Sequence, residues 1–223
     1  MTNSLQLHMD KIYISPSLLS ADFSAMGADA RASEVMGADL LHCDVMDGNF
    51  VPNITFGMPM VKALSGCVKI PLDVHLMINK PERFSLEFIK SGAKILTFHP
   101  EASDNPEALL TEIRAQGVLC GIALNPNVEF TRFAHLLPLC DMVIVMGVYA
   151  GFGGQGFITD TPKKISELKA YRDKNGLKFS IEIDGGVTNK NIAEIKRAGA
   201  NVIVSGSYLF KSDNMGEAIA SLR

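Results

Sequence analysis

The sequence lacks any apolar run long enough to cross a bilayer. Its longest apolar stretch, around residues 142–152, is interrupted by glycines and is too short to span one. The start of the chain also lacks the positively charged and then apolar pattern of a secretory signal. We therefore expect neither a membrane-spanning segment nor a membrane partner.

Positive charge is not in excess either, since 21 Lys and Arg stand against 24 Asp and Glu, a formal net charge of -3. A protein that binds nucleic acid usually carries a basic patch, so we expect no nucleic-acid partner. Any phosphate site would have to be local and built from backbone amides. The 4 cysteines are scattered and form no C-x-x-C pair. Three of them lie in or beside apolar segments, which is typical of reduced thiols in a cytoplasmic protein.

The sequence does contain a regular alternation of apolar, β-branched segments with amphipathic stretches. The apolar segments span 12–18, 39–45, 72–78, 95–99, 118–124, 142–148, 179–183 and 201–205. A glycine precedes several of them, as at Gly37 and Gly92, and glycine is the preferred residue just after a helix. The pattern predicts eight strand–helix units.

Eight such units form either a closed barrel or a doubly wound open sheet. The barrel is favoured because no long insertion interrupts the units and polar residues follow the strands throughout the chain. No G-x-G-x-x-G follows the first strand, so a dinucleotide-binding sheet has no support. We predict an α/β fold, a single (β/α)8 TIM barrel over residues 11–223, after a flexible leader over residues 1–10.

Polar side chains at the predicted strand ends include a possible metal site. His42 and Asp44 lie two residues apart and therefore share a strand face. Alone, this pair is equally consistent with a buried hydrogen bond. His75 from the third strand and Asp184 from the seventh can join them, because the active site of such a barrel lies at the carboxyl ends of the strands. Two imidazoles and two carboxylates suit one divalent ion: Zn, Fe(II), Mn or Co.

Glycine-rich loops follow strands six, seven and eight. Barrels of this kind often bind phosphate in the loops after strands seven and eight, where glycine lets backbone N–H groups approach the anion. Tight turns alone would also explain these glycines. Three methionines near the same face form either core filling or an apolar cap over the substrate: Met46, Met77 and Met146. His99 either supports the metal site or is a hydrogen-bonded barrel histidine, and the second interpretation is favoured.

Six ordered motifs give the chain a family resemblance. They are ISPSLLSADF from Ile14, HCDVMDGNFVPNITFG from His42, LDVHLM from Leu72, GFGGQ from Gly151, EIDGG from Glu182 and VSGS from Val204. The chain resembles the ribulose-phosphate 3-epimerase family over essentially its whole length after residue 10. The resemblance implies interconversion of D-ribulose 5-phosphate and D-xylulose 5-phosphate, and a homo-oligomer, either a dimer or a hexamer.

The resemblance also implies roles for individual residues. The metal ligands would be His42, Asp44, His75 and Asp184. Substrate or its phosphate would contact Ser17, Gly151, Phe152, Gly153, Gly154, Gly185, Gly186, Gly206 and Ser207. We add His75 and the three methionines to the predicted substrate contacts. Inversion of a carbon next to a ketone needs an acid and a base on opposite faces, so Asp44 and Asp184 are the predicted catalytic pair.

One segment departs from the family pattern. Met146–Gly151 lacks the proline that usually precedes the glycine, which is expected to free this loop. His99-Pro100-Glu101 is also similar to D-allulose 6-phosphate 3-epimerases, so a 3-epimerase of D-allulose 6-phosphate and D-fructose 6-phosphate is the nearest alternative. A metal-free lyase would need a lysine two residues after Asp73, where His75 stands. A non-catalytic sugar-phosphate-binding barrel would be expected to lose one of the two acids, and both are present.

Overall fold

The structure, a computed structural model that describes residues 5–223, is a closed barrel of eight parallel strands. The strands are β1 (Tyr13–Pro16), β2 (Leu41–Met46), β3 (Leu72–Met77), β4 (Ala93–Phe98), β5 (Leu119–Leu124), β6 (Met142–Met146), β7 (Ser180–Asp184) and β8 (Val202–Ser205). From β2 to β8 each strand pairs with the next one along the chain, and β1 pairs with β8. A parallel bridge between Ser17 and His42 closes the ring between β1 and β2. The predicted (β/α)8 barrel is confirmed.

Helices surround the barrel on the outside. They are α1 (Met26–Val35), α2 (Met58–Ser65), α3 (Ser85–Lys90), α4 (Pro106–Ala115), α5 (Thr161–Lys174), α6 (Ile192–Ala198), α7 (Ser207–Phe210) and α8 (Met215–Ser221). Between β5 and β6 a 3₁₀ segment, Phe130–Leu139, takes the place of an α-helix. Pro138 lies inside it and has no N–H to donate to a helical hydrogen bond. The expected strand–helix repeat is therefore interrupted once.

Glycine ends helices as the sequence predicted. Gly199 follows α6 with φ +118°, and its N–H donates to the carbonyls of Ile195 and Lys196. This left-handed conformation is strained for other residues, so the glycine fixes the point at which α6 ends and the chain turns toward β8.

The strands bury both faces. Their outward-facing side chains pack against the helices in one large apolar core, which includes Cys43, Val74 and Ile183. Inside the barrel, residues near the amino-terminal ends of strands form a separate apolar plug: Tyr13, Leu40, Ile95, Met142 and Val202. The inward-facing positions nearer the carboxyl ends include the buried polar residues of the site described below.

The start of the chain covers the plugged end of the barrel. Leu5 and Leu7 are partly buried against the plug, and the backbone N–H of His8 donates to the Tyr13 hydroxyl at 3.0 Å. Residues 5–8 of the predicted leader thus contact the barrel, whereas its residues 1–4 lie outside the described residues. No helix within residues 5–223 is long and apolar enough to cross a membrane.

Candidate active site

Four polar side chains converge inside the carboxyl end of the barrel. Asp44 and His75 are paired across β2 and β3, and His42 and Asp73 are paired two residues earlier, on the same face. Asp184 reaches the same place from the end of β7. One donor atom from each of His42, Asp44, His75 and Asp184 lies within 4.8 Å of the other three. The structure thus brings together the four residues that the sequence predicted as a metal site.

The spacing of these atoms fits a single metal ion. His42 Nε2 lies 3.4 Å from Asp44 Oδ1 and 3.8 Å from Asp184 Oδ2. His75 Nδ1 lies 3.8 Å and 3.7 Å from the same two oxygens. A tetrahedral zinc site with bonds of about 2.1 Å needs donors roughly 3.4 Å apart. Within residues 5–223, both nitrogens are buried and have no hydrogen-bond partner, so a cation would satisfy two orphaned polar atoms.

The electrostatics of the group also favour a cation. Burial alone would raise the pKa of the Asp44 carboxyl, but His42 and His75 hold it below its ordinary value. Burial would lower the pKa of His42 and His75, yet the surrounding carboxylates raise both of them. Two buried carboxylates need a compensating positive charge, which either protonated imidazoles or a metal ion can supply.

A second carboxylate pair lies beneath His42. His42 Nδ1 is 2.7 Å from Asp73 Oδ2 and 3.2 Å from Glu182 Oε1, and all three side chains are fully buried. Burial and the neighbouring Asp73 raise the pKa of Glu182 well above its ordinary value. The sequence interpretation gave neither acid a role. The available signal was their position two residues before His75 and Asp184, which places them on the same strand faces.

His75 has a different neighbour. Its Nε2 lies 3.0 Å from Nε2 of His99, which is fully buried just after β4. Nδ1 of His99 lies 3.2 Å from the side-chain nitrogen of Asn125, which donates to Glu101 Oε1 at 3.0 Å. Burial lowers the pKa of His99 to about 4, so its ring is neutral at physiological pH. His99 is therefore a hydrogen-bonded barrel histidine that directly contacts a member of the four-residue group.

A cavity of about 280 Å³ opens above the group. Its lining contains Asp44, Asp184 and the predicted substrate contacts Ser17, Met46, Met77, Met146, Gly151, Phe152, Gly153, Gly154, Gly185, Gly186, Gly206 and Ser207. His75 is the predicted substrate contact that does not line the cavity, because it is fully buried behind the two aspartates. The polar residues Ser20, Gln155 and Thr188 also line it and were not predicted. Ser20 and Gln155 lie within quoted motifs, which was the available signal.

The paired glycines after β7 are required by close packing. Gly186 has φ +69°, and a Cβ there would lie 2.9 Å from the Phe157 Cα. Gly185 has φ +107°, and its Cβ would lie 3.0 Å from the backbone nitrogen of Val148. Both positions therefore exclude ordinary side chains, which leaves backbone exposed toward the cavity.

Hydrogen bonds hold the loop that departs from the family pattern. Gln155 Nε2 donates to the carbonyls of Tyr149 and Phe152, at 2.7 Å and 2.8 Å. Asn53 Nδ2 donates to the Gly151 carbonyl at 2.8 Å, which joins this loop to the one after β2. Side-chain amides thus constrain a loop that was expected to be freed by the loss of its proline.

An apolar cluster lies against the same loop. Met46, Met77 and Val51 form it, and Ala150 packs on it from the loop. Ala150 also contacts a neighbouring cluster that contains Met146. The three methionines are almost completely buried, yet each contributes to the cavity lining. They are therefore core residues that also present an apolar surface to the cavity.

The chain is similar to known proteins over nearly its whole length. The sequence model of the ribulose-phosphate 3 epimerase family matches residues 13–210. The ribulose-phosphate 3-epimerase of Synechocystis is 44% identical over 214 residues, covering 95% of this chain and 93% of that one. The Bacillus subtilis enzyme of that name is 43% identical, covering 95% and 98%. A solved Streptococcus mutans structure titled KGPDC superposes with a TM-score of 0.71 at 11% identity, covering 96% of each chain, which shows the shared fold.

Proposed function

This chain belongs to the ribulose-phosphate 3 epimerase family and is an isomerase, and we propose that it interconverts D-ribulose 5-phosphate and D-xylulose 5-phosphate by inversion at C3. The observation that carries the proposal is the group of two buried imidazoles and two carboxylates at the floor of the cavity, with donor atoms within 4.8 Å of one another. Most of the cavity above it is lined by the loops and strand ends in which the family motifs lie.

Asp44 and Asp184 are the proposed acid and base. They come from β2 and β7, which are separated in the barrel by β1 and β8, so they approach a bound substrate from different sides. The lowered pKa of Asp44 keeps it ionised at neutral pH, as a base must be. One carboxylate removes the C3 proton while the other, protonated, returns a proton to the opposite face, and the roles exchange in the reverse reaction. Ser17 Oγ donates to Asp44 Oδ2 at 2.6 Å and orients that carboxylate.

His42, Asp44, His75 and Asp184 would hold one divalent ion, either Zn, Fe(II), Mn or Co. Such an ion would act as a Lewis acid and would stabilise the negative charge that develops on the substrate oxygens. This effect would lower the activation free energy by several kcal/mol. The two histidines supply neutral ligands and leave proton transfer to the aspartates. Asp73 and Glu182 fix the orientation of the His42 ring from below.

The glycine-rich loops after β6, β7 and β8 are the proposed phosphate subsite. Gly153, Gly186 and Gly206 line the cavity, together with Ser207 at the start of α7. Backbone N–H groups there can bind the phosphate without a lysine. Met46, Met77 and Met146 would cover the reacting carbons and exclude water from the enediolate.

A longer sugar is the second candidate, with the same chemistry. Tyr149 and Ala150 occupy positions where the family usually has an acid or Asn followed by Pro, and both line the cavity. This departure favours testing D-allulose 6-phosphate and D-fructose 6-phosphate beside the pentulose phosphates. A larger kcat/KM on the hexulose phosphates would reassign the substrate and leave the mechanism unchanged.

The experiment that tests the mechanism is solvent deuterium uptake at C3. We expect Asp44→Asn and Asp184→Asn each to lose at least about 100-fold in the exchange rate, since general acid–base groups contribute 10²–10⁴-fold. Asp213→Asn, at an exposed position before α8, should exchange at the wild-type rate. Circular dichroism would verify that each variant is folded. Substantial interconversion of the two epimers in either active-site variant would refute the two-base assignment. Absence of exchange in wild type with every ketose phosphate offered would instead favour a sugar-phosphate-binding barrel.

Two further proposals concern the setting of the enzyme. We propose that it acts in the cytoplasm, which is supported by the free, buried thiols of Cys43, Cys120 and Cys140. The dimer or hexamer implied by the family resemblance stays a prediction, which sedimentation of the purified protein would test.

A further inference from the structure

One edge of β2 has no strand beside it at the level of the active site. β1 ends at Pro16, and the chain then continues as a 3₁₀ turn, Leu18–Ser20. A bridge between Ser17 and His42 joins this end of β1 to β2. Within residues 5–223, β1 forms no further bridge to β2 toward the carboxyl end. The pairing that closes the barrel therefore stops two residues before Asp44.

The backbone groups of Asp44 and Met46 point to this open edge. Successive residues of a strand direct their N–H and C=O groups to opposite edges. The N–H of Leu40, just before β2, donates to the Ile14 carbonyl of β1 at 3.2 Å, so the even-numbered residues along β2 face β1. The Asp44 carbonyl and the Met46 N–H thus need partners that no strand supplies.

A single hydroxyl satisfies both groups. Thr55 Oγ1 donates to the Asp44 carbonyl at 2.6 Å and accepts from the Met46 N–H at 3.1 Å. The loop after β2 folds back along the strand through an antiparallel bridge between Asp47 and Ile54, and this brings Thr55 to the open edge. Because a hydroxyl can donate and accept at the same time, Thr55 makes the contacts that the backbone of a neighbouring strand would make.

Asp44 is held at two points as a result. Ser17 Oγ donates to its carboxylate, and Thr55 Oγ1 donates to its backbone carbonyl, each at 2.6 Å. A group that transfers a proton must lie close to its correct position, since a misplacement of about 1 Å can cost about 100-fold in rate. The same hydroxyl holds the backbone of Met46, whose side chain lines the cavity. Movement of this edge of β2 would therefore displace both residues.

We propose that Thr55 is a positioning residue of the active site: its hydroxyl replaces the missing pairing with β1 and fixes the position of the Asp44 carboxylate. Thr55 is not among the residues that line the cavity, so it acts through the backbone of β2 and does not touch the substrate. The inference rests on the proposed function, because it takes Asp44 as an acid–base group.

Thr55→Ala and Thr55→Ser test the proposal, because these two variants differ only in the hydroxyl. Steady-state kinetics on the ketose phosphates give kcat and KM, with the most activating of Zn²⁺, Fe²⁺, Mn²⁺ and Co²⁺ in excess so that ion binding does not limit the rate. Amide hydrogen exchange, followed by NMR, reports on the Met46 N–H. The Leu41 N–H, which donates to Pro71 at 3.0 Å on the other edge of the strand, is the internal reference. Thr111→Ala and Thr111→Ser are the matched controls, since this hydroxyl also donates to a carbonyl, on the exposed surface of α4.

We expect Thr55→Ala to lower kcat about tenfold or more, because the displaced carboxylate no longer meets the reacting carbon correctly. KM should stay within about twofold of wild type, since the proposed phosphate loops are not altered. The Met46 N–H should exchange at least about fivefold faster after losing one hydrogen bond, while Leu41 is unchanged. Thr55→Ser should restore both kcat and the slow exchange of Met46, and both Thr111 variants should match wild type. A general loss of stability would instead speed the exchange of Leu41 as well.

A kcat of Thr55→Ala within about twofold of wild type would overturn the inference alone, and so would a Thr55→Ser variant as impaired as Thr55→Ala. If circular dichroism shows Thr55→Ala to be unfolded, Thr55→Val, which keeps the size of the side chain, takes its place against the same criteria. Wild type that converts none of the ketose phosphates would overturn the proposed function, and this inference with it. The wild-type rate measured in the same series therefore distinguishes the two failures.

Discussion

The two carboxylates beneath His42 should substitute for one another, which a double-mutant cycle on Asp73→Asn and Glu182→Gln can measure. Both lie against the same ring nitrogen, at 2.7 Å and 3.2 Å. Both are buried and adjacent, and burial together with the neighbouring Asp73 raises the pKa of Glu182 well above its ordinary value. Removing the charge of Asp73 removes one reason for that raised pKa. Glu182 can then ionise and accept the His42 hydrogen bond.

The size of the effect follows from this exchange. Each single variant retains one carboxylate within hydrogen-bonding distance of His42 Nδ1, so we expect metal affinity to fall by less than about threefold. The double variant retains none, and should lose about 10–100-fold, as when the outer partner of a metal-bound histidine is removed. If the two single losses in metal affinity were independent, their product would be at most about ninefold. Any further loss in the double variant measures the coupling between Asp73 and Glu182. The double loss corresponds to about 1.4–2.7 kcal/mol.

The assay is Zn²⁺ competition against a chelator at neutral pH, with thermal unfolding of each metal-free variant as the check on folding. Asp213→Asn, which removes one exposed negative charge, is the control and should bind zinc like wild type. A tenfold loss in either single variant would refute the exchange, because one carboxylate would then act alone. A double variant no weaker than the product of the singles would refute it as well.

Two other predictions concern the loops around the cavity. Gly186→Ala places a Cβ 2.9 Å from the Phe157 backbone at a residue with φ +69°. The loop should therefore be displaced, and KM for the ketose phosphate should rise about tenfold or more while zinc affinity stays unchanged. An unaltered KM in steady-state kinetics would show that this loop is not part of the phosphate subsite. Asp47 accepts backbone hydrogen bonds from Asn49, Phe50 and Asn79, each at 2.8 Å, and although burial opposes it, these bonds lower the pKa of its carboxyl in the folded state. The contribution of Asp47 to stability is therefore complete above the unfolded pKa of about 4 and is lost as pH falls through the lower folded value. In urea unfolding, the free energies of unfolding of wild type and Asp47→Asn should therefore differ less at pH 3 than at pH 7. A difference that stays constant with pH would contradict this.

The sequence by itself determined the barrel and the convergence of the four residues of the candidate metal site. The apolar segments of strand length, which are separated by helices that end at glycine, predicted the bounds of every strand to within a few residues. In a parallel barrel all strands end at the same face, so alternation along β2, β3 and β7 was enough to bring His42, Asp44, His75 and Asp184 together. These are local patterns combined with one topological rule, which is why they could be read without coordinates.

Tertiary structure alone decided what lies behind those residues. Whether Asp73 and Glu182 meet at His42, or His99 meets His75, depends on how far neighbouring strands are staggered around the barrel, and no local pattern encodes that stagger. The hydrogen bond that Asn125 donates to Glu101 beside His99 likewise joins residues that follow two neighbouring strands. The sequence of a strand decides which side chains share a face. The closed barrel decides which side chains of two neighbouring strands lie at the same height along its axis.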